Sequence, residues 1–370
     1  MTPRSYLIAT NIGHGAVPDH FLALGQELQK RGNQVAVLTS APETAAEAAE
    51  TGLRVHVWPN PRPVTLRDAR FLMNIVSRHK PDCAVANFGA VNLLALVHWF
   101  KRVPVRIVWY HTLSTQINSD STLPRWRIRL LRWRKSLVYS TATHLFANSQ
   151  AASEDMQRTF HVPESKCSVQ TLSLADPVAA MATRRPGNGG LKIICVGRFS
   201  PSKGQDTLVQ ALAGLRDQAD WTAVMVGEGP NRQAVEKLAQ KLGVANRCRF
   251  TGLCPHSDVL KELADSSVSV IPSRAEAFGF VALESMAVGL PVIASNTGGL
   301  AEVIRDGVDG FLVPPGDAQA ISEKLALLLR DPALRTRMGD NARARFLAKF
   351  ERSRVIPQQA DLLEKVTRRE

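Results

Sequence analysis

Two glutamates lie eight residues apart in RAEAFGFVALES (274–285), on either side of a turn that contains phenylalanine and glycine. Glu276 precedes the turn, and Glu284 lies about one turn into a helix predicted over 280–288. The first amides of a helix can bind a phosphate, and a carboxylate can accept hydrogen bonds from two vicinal ribose hydroxyls. The spacing therefore fits a ligand with a ribose at one end, a diphosphate in the middle and a hydroxyl-rich group at the other. From spacing alone, Glu276 is as readily a loop acid and Glu284 a solvated helix position.

A second charged loop, GRFSPSKG (197–204), follows a predicted strand and opens a helix. Arg198 and Lys203 can bring two positive charges to a diphosphate, which needs neutralisation when it leaves. A pair of surface-loop cations is the plainer interpretation. The sequence contains no apparent Asp-x-Asp metal motif, and a helix terminus with these two cations supplies positive charge, so we expect no metal and no other cofactor. Glycines in NIGHG (11–15) and NTGG (296–299) also connect strand to helix, but such loops often need glycine only for the turn.

Alternating strand-like and amphipathic segments must position these loops, and that alternation is typical of βαβ units. We predict an α/β fold of two doubly wound domains, 1–182 and 191–350, joined by a linker at 183–190 that is rich in Gly, Pro and charge. A C-terminal helix, 351–370, is expected to cross back to the N-terminal domain. Ligands bind beyond the carboxyl ends of parallel strands, so the cleft between the domains is the expected site. Strands are predicted at 6–10, 34–39, 53–58, 83–87, 105–110, 144–149, 191–197, 221–227, 248–252, 268–273 and 290–295.

The composition is that of an ordinary soluble globular chain, with 370 residues, 45% of them hydrophobic and 21% charged. No stretch approaches the roughly 18 uninterrupted apolar residues of a membrane span, and the first apolar run is too short for a signal peptide. Five scattered cysteines, none in a CxxC pair, fit a reducing compartment without a zinc site. We therefore expect a cytoplasmic protein.

The formal charge of +13 is concentrated between Lys101 and Lys135, where nine Lys or Arg residues face one acid, Asp120. Helical spacing places apolar residues of this segment on one face and arginines on most of the rest, as in a helix at an anionic bilayer surface. The alternative is a domain helix whose apolar stripe enters the core while its arginines are solvated. Nucleic acid is not expected, because no recognised binding module accompanies the charge. The residues of this basic patch are Arg125, Trp126, Arg127, Arg129, Arg132, Trp133, Arg134 and Lys135.

The second half of the chain resembles the retaining, GT-B-fold glycosyltransferases of family 4, also called glycosyl transferases group 1. The resemblance rests on GRFSPSKGQDTLVQAL, VGEGP, FTGL and IPSRAEAFGFVALESMAVGLPVIASNTGGLAEVIRDGVDGFLVPPGD, in the family's order. It implies two Rossmann-like domains facing a central cleft, and transfer of a sugar from a nucleotide-diphosphate sugar to a hydroxyl acceptor. Cell-surface polysaccharide, lipopolysaccharide or glycolipid synthesis is the implied pathway, and a lipid-linked or anionic acceptor would explain the basic patch. A nucleotide-sugar epimerase or a non-catalytic nucleotide-sugar-binding protein remains as the alternative.

The resemblance also implies roles for single residues. Glu276 would contact the donor sugar, Glu284 the ribose, and Arg198 with Lys203 the diphosphate, while His111, after the strand at 105–110, would reach the donor sugar. The family precedent favours a front-face reaction, in which the leaving phosphate helps deprotonate the acceptor. The implied catalytic residues are His111, Arg198, Lys203 and Glu276, and the implied donor-binding residues are Gly15, Ala16, Gly197, Glu276, Ala277, Phe278, Gly279, Phe280, Val281 and Glu284.

The sequence departs from the family pattern in three places. Ala16 follows Gly15 where two glycines are usual, so its methyl group could narrow backbone approach to a phosphate or acceptor. Ala277 replaces a usual glycine, and SVQTLSLADP (168–177) lacks the usual Asn-Gly turn.

Overall fold

The computed structural model has the α/β architecture that the sequence predicts, with two parallel sheets of seven and six strands. The chain divides into two compact units. Apart from Gly190, the predicted linker at 183–190 lies outside the described residues. The first unit comprises Met1–His111, Thr122–Leu174 and Arg352–Glu370, and the second comprises Thr112–Ser121 and Ala175–Glu351. The structure describes residues 2–10, 15–40, 52–60, 65–87, 91–121, 123–180, 190–218 and 220–368, with the backbone alone at 94–96, 98–99 and 179–180.

The strands are β1 Ser5–Ala9, β2 Gln34–Thr39, β3 Arg54–Val57, β4 Cys83–Asn87, β5 Val105–Tyr110, β6 His144–Ala147, β7 Cys167–Val169, β8 Leu191–Val196, β9 Trp221–Val226, β10 Cys248–Gly252, β11 Val268–Ile271, β12 Val292–Ser295 and β13 Gly310–Val313. The first unit's sheet has the order β3-β2-β1-β4-β5-β6-β7, and the second unit's β10-β9-β8-β11-β12-β13. The strand order reverses at β1 in the first sheet and at β8 in the second, and each reversal is the switch point of a doubly wound sheet. Central strands such as β4 and β11 are buried throughout, as expected of a parallel sheet covered on both faces.

The helices are α1 Ala16–Lys30, α2 Leu66–His79, α3 Val91–Phe100, α4 Ser114–Asp120, α5 Arg125–Ser140, α6 Gln150–Phe160, α7 Gln205–Ala213, α8 Arg232–Lys241, α9 His256–Ala264, α10 Phe280–Ala287, α11 Leu300–Val303, α12 Ala318–Arg330, α13 Pro332–Lys349 and α14 Arg352–Arg368. Local sequence determines several of their starts. Thr65 and Asp68 form a capping box at α2, and the side chain of Ser149 accepts a hydrogen bond from the backbone N–H of Ala152 in α6.

The C-terminal helix α14 completes the first unit. Arg31, at the end of α1, pairs with Asp361 at 2.5 Å, and the Asn33 amide donates to Glu364 Oε1 at 2.8 Å. Gln359 donates to the carbonyl of Thr171 at 2.6 Å. These contacts tie α14 to the turn that follows α1 and to the segment after β7.

A fully buried histidine in α1 was not singled out by the sequence. His20 Nδ1 accepts a hydrogen bond from the backbone N–H of Ser173 at 3.0 Å, and its ring packs edge-on against Phe21 and Trp109. Burial lowers the pKa of His20 to about 3, so the imidazole is neutral at physiological pH.

Candidate active site

Two charges predicted from separate motifs lie together in the second unit. Lys203 Nζ is 2.6 Å from Glu276 Oε2, and the Ser273 hydroxyl donates to the same oxygen at 3.3 Å. The Lys203 and Glu276 side chains are only 23% and 13% exposed, so water screens their contact weakly. The loops after β8 and β11 therefore bring a cation and an anion to one point.

Backbone hydrogen bonds between these loops set the pair's position. Residues 201–203 form a short 3₁₀ helix, and the carbonyl of Ser202 accepts from the backbone N–H groups of Arg274 at 2.7 Å and Ala275 at 3.3 Å. The Arg274 guanidinium then binds both oxygens of Asp206, at 2.9 and 2.7 Å. A bidentate pair of this kind fixes the planes of both groups, so it holds the loop against the start of α7.

Gly298 and Gly299 support the same loop from behind. The backbone N–H of Gly299 donates to the carbonyl of Glu276 at 3.0 Å. A Cβ on Gly298 would lie 1.9 Å from that carbonyl oxygen, and one on Gly299 would lie 2.5 Å from the carbonyl oxygen of Ala277. Only glycine fits at these positions, and the closely approached backbone is that of 276–278.

The turn between Glu276 and α10 needs glycine at position 279. Gly279 has φ of 101° and is the N-cap residue of α10. Because glycine has no side chain, it cannot accept a hydrogen bond from the first backbone N–H groups of the helix. The side chains of Ala277 and Phe278 are buried, whereas Phe280 and Val281 are partly exposed. Phe278 packs edge-on against Phe280 with ring centroids 5.4 Å apart. The side chain of Phe278 thus serves packing, and the amides at the start of α10 remain the group suited to an anion.

Glu284 is not a solvated helix position. It is 7% exposed, and its Oε1 lies 2.8 Å from Nε2 of His256, the first residue of α9. Sequence reasoning missed His256, although a histidine at the start of a helix directly after FTGLCP was a visible signal. Burial beside an imidazole orients the carboxylate, as a hydrogen-bond acceptor for hydroxyls requires.

The loop after β8 presents the other predicted cation. Arg198 is exposed, and Gly197 before it is partly exposed. The buried amide of Gln205, the first residue of α7, donates to the carbonyl of Arg198 at 3.0 Å. This bond ties the loop to α7, and Lys203 lies in the stretch of chain between Arg198 and Gln205.

The remaining predicted site residues lie in the first unit. His111 follows β5, and its Nε2 is 2.7 Å from Oδ1 of Asn87, whose amide donates to the carbonyl of Ala9 at 3.1 Å. Because Asn87 Oδ1 is an acceptor, His111 Nε2 carries the proton. Burial lowers the pKa of His111 to about 3, so it is a neutral imidazole at physiological pH. Asn87 was missed, although a polar residue ending the apolar strand CAVAN was a visible signal.

The N-terminal glycine loop is only partly described, because residues 11–14 lie outside the described ranges. Gly15 has φ of 147° and precedes α1, and Ala16 is the first residue of that helix. Among the described residues, nothing lies within 4 Å of a Cβ placed on Gly15, so its glycine requirement comes from the backbone angle.

Comparison with known proteins decides the family. Residues 17–170 match the family model described as Glycosyltransferase Family 4, and residues 182–345 match Glycosyl transferases group 1. A GDP-mannose-dependent alpha-(1-6)-phosphatidylinositol monomannoside mannosyltransferase of Mycolicibacterium smegmatis is 30% identical over 314 residues, which cover 81% of each chain. The chain belongs to glycosyltransferase family 4.

Other relatives of this family 4 chain match over less of their length. A D-inositol 3-phosphate glycosyltransferase of Kribbella flavida is 30% identical over 69% of this chain and 63% of its own. An alpha-D-kanosaminyltransferase of Streptomyces kanamyceticus is 33% identical over 47% of this chain and 45% of its own. The chain thus spans less than two thirds of the length of these two relatives.

Solved structures show the same fold. Anabaena HepE in complex with UDP superposes with a TM-score of 0.77 at 20% identity, covering 98% of this chain and 100% of that one. Sucrose-phosphate synthase of Thermosynechococcus elongatus gives 0.79 at 20% identity, covering 99% and 100%. The predicted GT-B fold is confirmed for this family 4 chain.

The basic patch of the family 4 chain lies on α5. Trp126, Leu130, Trp133 and Leu137 repeat at helical spacing and are 61%, 56%, 63% and 51% exposed. The alternative that this apolar stripe enters the core is wrong, because the buried residues of α5 are Val138 and Tyr139 at its end. No helix within the described ranges has the length and apolar character of a membrane span. Of the patch, Arg132 and Lys135 are half-buried, and Arg125, Arg127, Arg129 and Arg134 are exposed.

Proposed function

We propose that the protein transfers a sugar from a nucleotide-diphosphate sugar to a hydroxyl acceptor with retention of the anomeric configuration. The observation that carries the proposal is the contact of Lys203 with Glu276 beside the uncapped start of α10, with Glu284 buried one turn into that helix. This arrangement offers a cation and amides for a diphosphate, and a carboxylate on each side for hydroxyls. The GDP-mannose dependence of the Mycolicibacterium smegmatis relative, and the UDP bound by Anabaena HepE, support a nucleotide-sugar donor.

In this proposal the chain's own groups supply the charge stabilisation. Lys203, Arg198 and the first amides of α10 neutralise the charge that develops on the leaving diphosphate as the bond from the anomeric carbon to its oxygen breaks. The acceptor oxygen bonds to the same face of that carbon, and its proton passes to the departing phosphate oxygen. Because three groups of the protein already provide positive charge, we propose that no metal is required. The described residues include no group of three or more His, Cys, Asp or Glu arranged to hold one.

The carboxylate of Glu276 is proposed to position the sugar. Its Oε2 is engaged by Lys203 and Ser273, which suits a hydrogen-bonding group better than a free nucleophile. Glu276→Ala should therefore lower turnover through donor positioning. Trapping a glycosyl adduct on Glu276 in the wild-type protein would overturn the front-face mechanism.

A panel of UDP, GDP and ADP sugars tests the proposed activity without knowledge of the acceptor. One nucleotide series should bind and undergo slow hydrolysis, and the released sugar should first form with its original anomeric configuration by NMR. Hydrolysis should persist in EDTA. Glu276→Gln should lose this hydrolysis, whereas the matched change at the exposed Glu323 should keep it.

The same panel separates the alternatives. An epimerase would convert one nucleotide sugar into another without releasing nucleoside diphosphate. A non-catalytic protein would bind a nucleotide sugar and leave it intact. Release of the inverted anomer, or no binding in any series, would contradict the proposal.

We also propose that the basic patch docks on an anionic membrane surface, where a lipid-linked or anionic acceptor would be presented on the cytoplasmic face. The exposed stripe of Trp126, Leu130, Trp133 and Leu137 could lie in the interface, while the flanking arginines contact lipid phosphates. The sequence of α5 contains no acid to oppose them. Each arginine near an anionic surface contributes about 1 kcal/mol.

Sedimentation with phosphatidylglycerol vesicles at low salt tests this docking. Wild-type protein should pellet, and serine at Arg127, Arg129, Arg132 and Arg134 should abolish pelleting. Replacing Trp126 and Trp133 by serine should weaken it even at low salt, since apolar contact is lost. Equal pelleting of wild-type and patch variants would refute the proposal. A control with the same charge loss elsewhere carries serine at the exposed Arg216, Arg330, Arg337 and Arg354.

A further inference from the structure

An acid from the middle of the chain holds the loop that carries Lys203. Asp120 is the last residue of α4, within the segment 112–121 that belongs to the second unit. Its Oδ1 accepts from the backbone N–H of Ser202 at 3.0 Å, and its Oδ2 accepts from the hydroxyls of Ser202 at 2.7 Å and Ser200 at 3.1 Å. Ser200 and Ser202 are 3% and 0% exposed, so these donors depend on protein partners.

Ser202 connects this acid to both members of the charged pair. Its carbonyl accepts the backbone N–H groups of Arg274 and Ala275, which directly precede Glu276. Lys203 follows Ser202 in the chain and reaches Glu276 at 2.6 Å. A shift of Ser202 would therefore move the lysine and the glutamate at once.

The charge of Asp120 makes its position informative. It is the only acid between Lys101 and Lys135. It contacts Ser202, the residue before Lys203, and Lys203 is proposed to bind a diphosphate. By charge alone, a carboxylate there weakens the binding of an anion. Its three hydrogen bonds to buried donors supply a reason for its presence that charge does not.

We propose that Asp120 is a positioning residue for donor binding, which acts by holding Ser202 so that Lys203 and Glu276 keep their geometry. This inference rests on the proposed function, since it takes the nucleoside diphosphate as the ligand. It assigns to α4 a role in the donor site that none of the sequence motifs indicated.

Two substitutions of Asp120 separate positioning from charge. Asp120→Asn and Asp120→Ala remove the same negative charge, but asparagine can still accept from the Ser202 amide and donate to a serine hydroxyl oxygen. Isothermal titration with UDP, GDP and ADP should show that Asp120→Ala raises the Kd about ten-fold. This is the change expected when Lys203 loses one charge-assisted hydrogen bond to the diphosphate. Asp120→Asn should bind within about three-fold of wild type on the same scale. Asp217→Ala, at a 91% exposed side chain, is the charge-matched control.

A Lys203→Met background shows whether Asp120 acts through Lys203. There, Asp120→Ala should cause no further loss of affinity, and a persisting ten-fold loss would overturn the inference. Equal or tighter binding by both Asp120 variants would also overturn it, because charge alone would then explain the residue. Wild-type protein that binds none of the three nucleotides would contradict the proposed function and remove this inference with it. Binding by wild type that Asp120→Ala leaves unchanged would contradict the inference alone.

Discussion

Neutralising Lys203 should weaken nucleotide binding, whereas neutralising Glu276, its partner in the charged pair, should leave binding unchanged or strengthen it. Lys203→Met leaves an uncompensated carboxylate beside the start of α10, and Glu276→Gln leaves an uncompensated ammonium. The diphosphate is an anion, so the first variant should bind it more weakly and the second as tightly or more tightly. Turnover should fall in both, because Lys203→Met no longer neutralises the leaving diphosphate and Glu276→Gln loses the charged acceptor proposed to hold the sugar.

The geometry of the pair sets the size of the effect. The two groups are 2.6 Å apart, and their side chains are 23% and 13% exposed, so most of the pair is shielded from water. At a separation of about 6 Å and an effective dielectric constant of about 20, one unit charge changes the energy of one phosphate charge by about 3 kcal/mol. Residual exposure and salt reduce this to about 1–2 kcal/mol, or about 5- to 30-fold in Kd.

Titration of the nucleoside diphosphate at two salt concentrations measures both shifts. The difference between the two variants should shrink as salt rises, and the double variant, whose pair again has no net charge, should return towards wild-type affinity. Controls are Lys241→Met and Glu323→Gln at exposed positions. Equal loss of affinity in both single variants would refute the reasoning, because geometry rather than charge would then dominate.

Three further perturbations follow from single observations. Gly279→Ala should lower the free energy of unfolding by about 1–3 kcal/mol in urea titrations, because φ is 101° and a Cβ would lie 2.6 Å from Leu300 Cδ2. Glu284→Ala should raise the nucleotide Kd about 10- to 100-fold through lost ribose hydrogen bonds, and an analogue whose ribose lacks both vicinal hydroxyls should bind this variant and wild type alike. Burial lowers the pKa of His20 from 6.5 to about 3, so the unfolded chain binds more protons between these values. Stability should therefore fall as pH drops from 6.5 towards 3, by up to about 1.4 kcal/mol per pH unit, and His20→Gln should flatten this slope in acid-unfolding curves.

Much of the fold was predictable because buried parallel strands are continuous apolar runs. The predictions at 34–39, 83–87 and 105–110 coincide with β2, β4 and β5. Of the strands in the described ranges, two were missed, β7 and β13, and both lie at the edge of a sheet. β7 has three residues, none of them buried, so its sequence has no apolar run to detect.

The composition of the candidate site was predictable, but its internal contacts were not. Glu276 and Lys203 stood in recognisable loops, yet their contact joins residues that are 73 positions apart. The contact of Asp120 with Ser202 spans 82 positions and that of His256 with Glu284 spans 28. Such contacts depend on which loops the sheet order brings together, and periodicity within one element carries no information about them. Resemblance to a family indicates positions that touch the ligand, whereas Asp120, His256 and Asn87 hold other residues in place.

The packing of α14 against α1 also determines the order in which the two units can be completed during synthesis. The ribosome makes 191–350 before α14, so the second unit can close while the first still lacks a helix that buries Val355, Ile356 and Leu363 against it. The strand that precedes His111, although made early, belongs to the unit that is finished late. Deleting residues 352–370 should therefore unfold the unit containing His111 and leave the unit containing Glu276 able to fold.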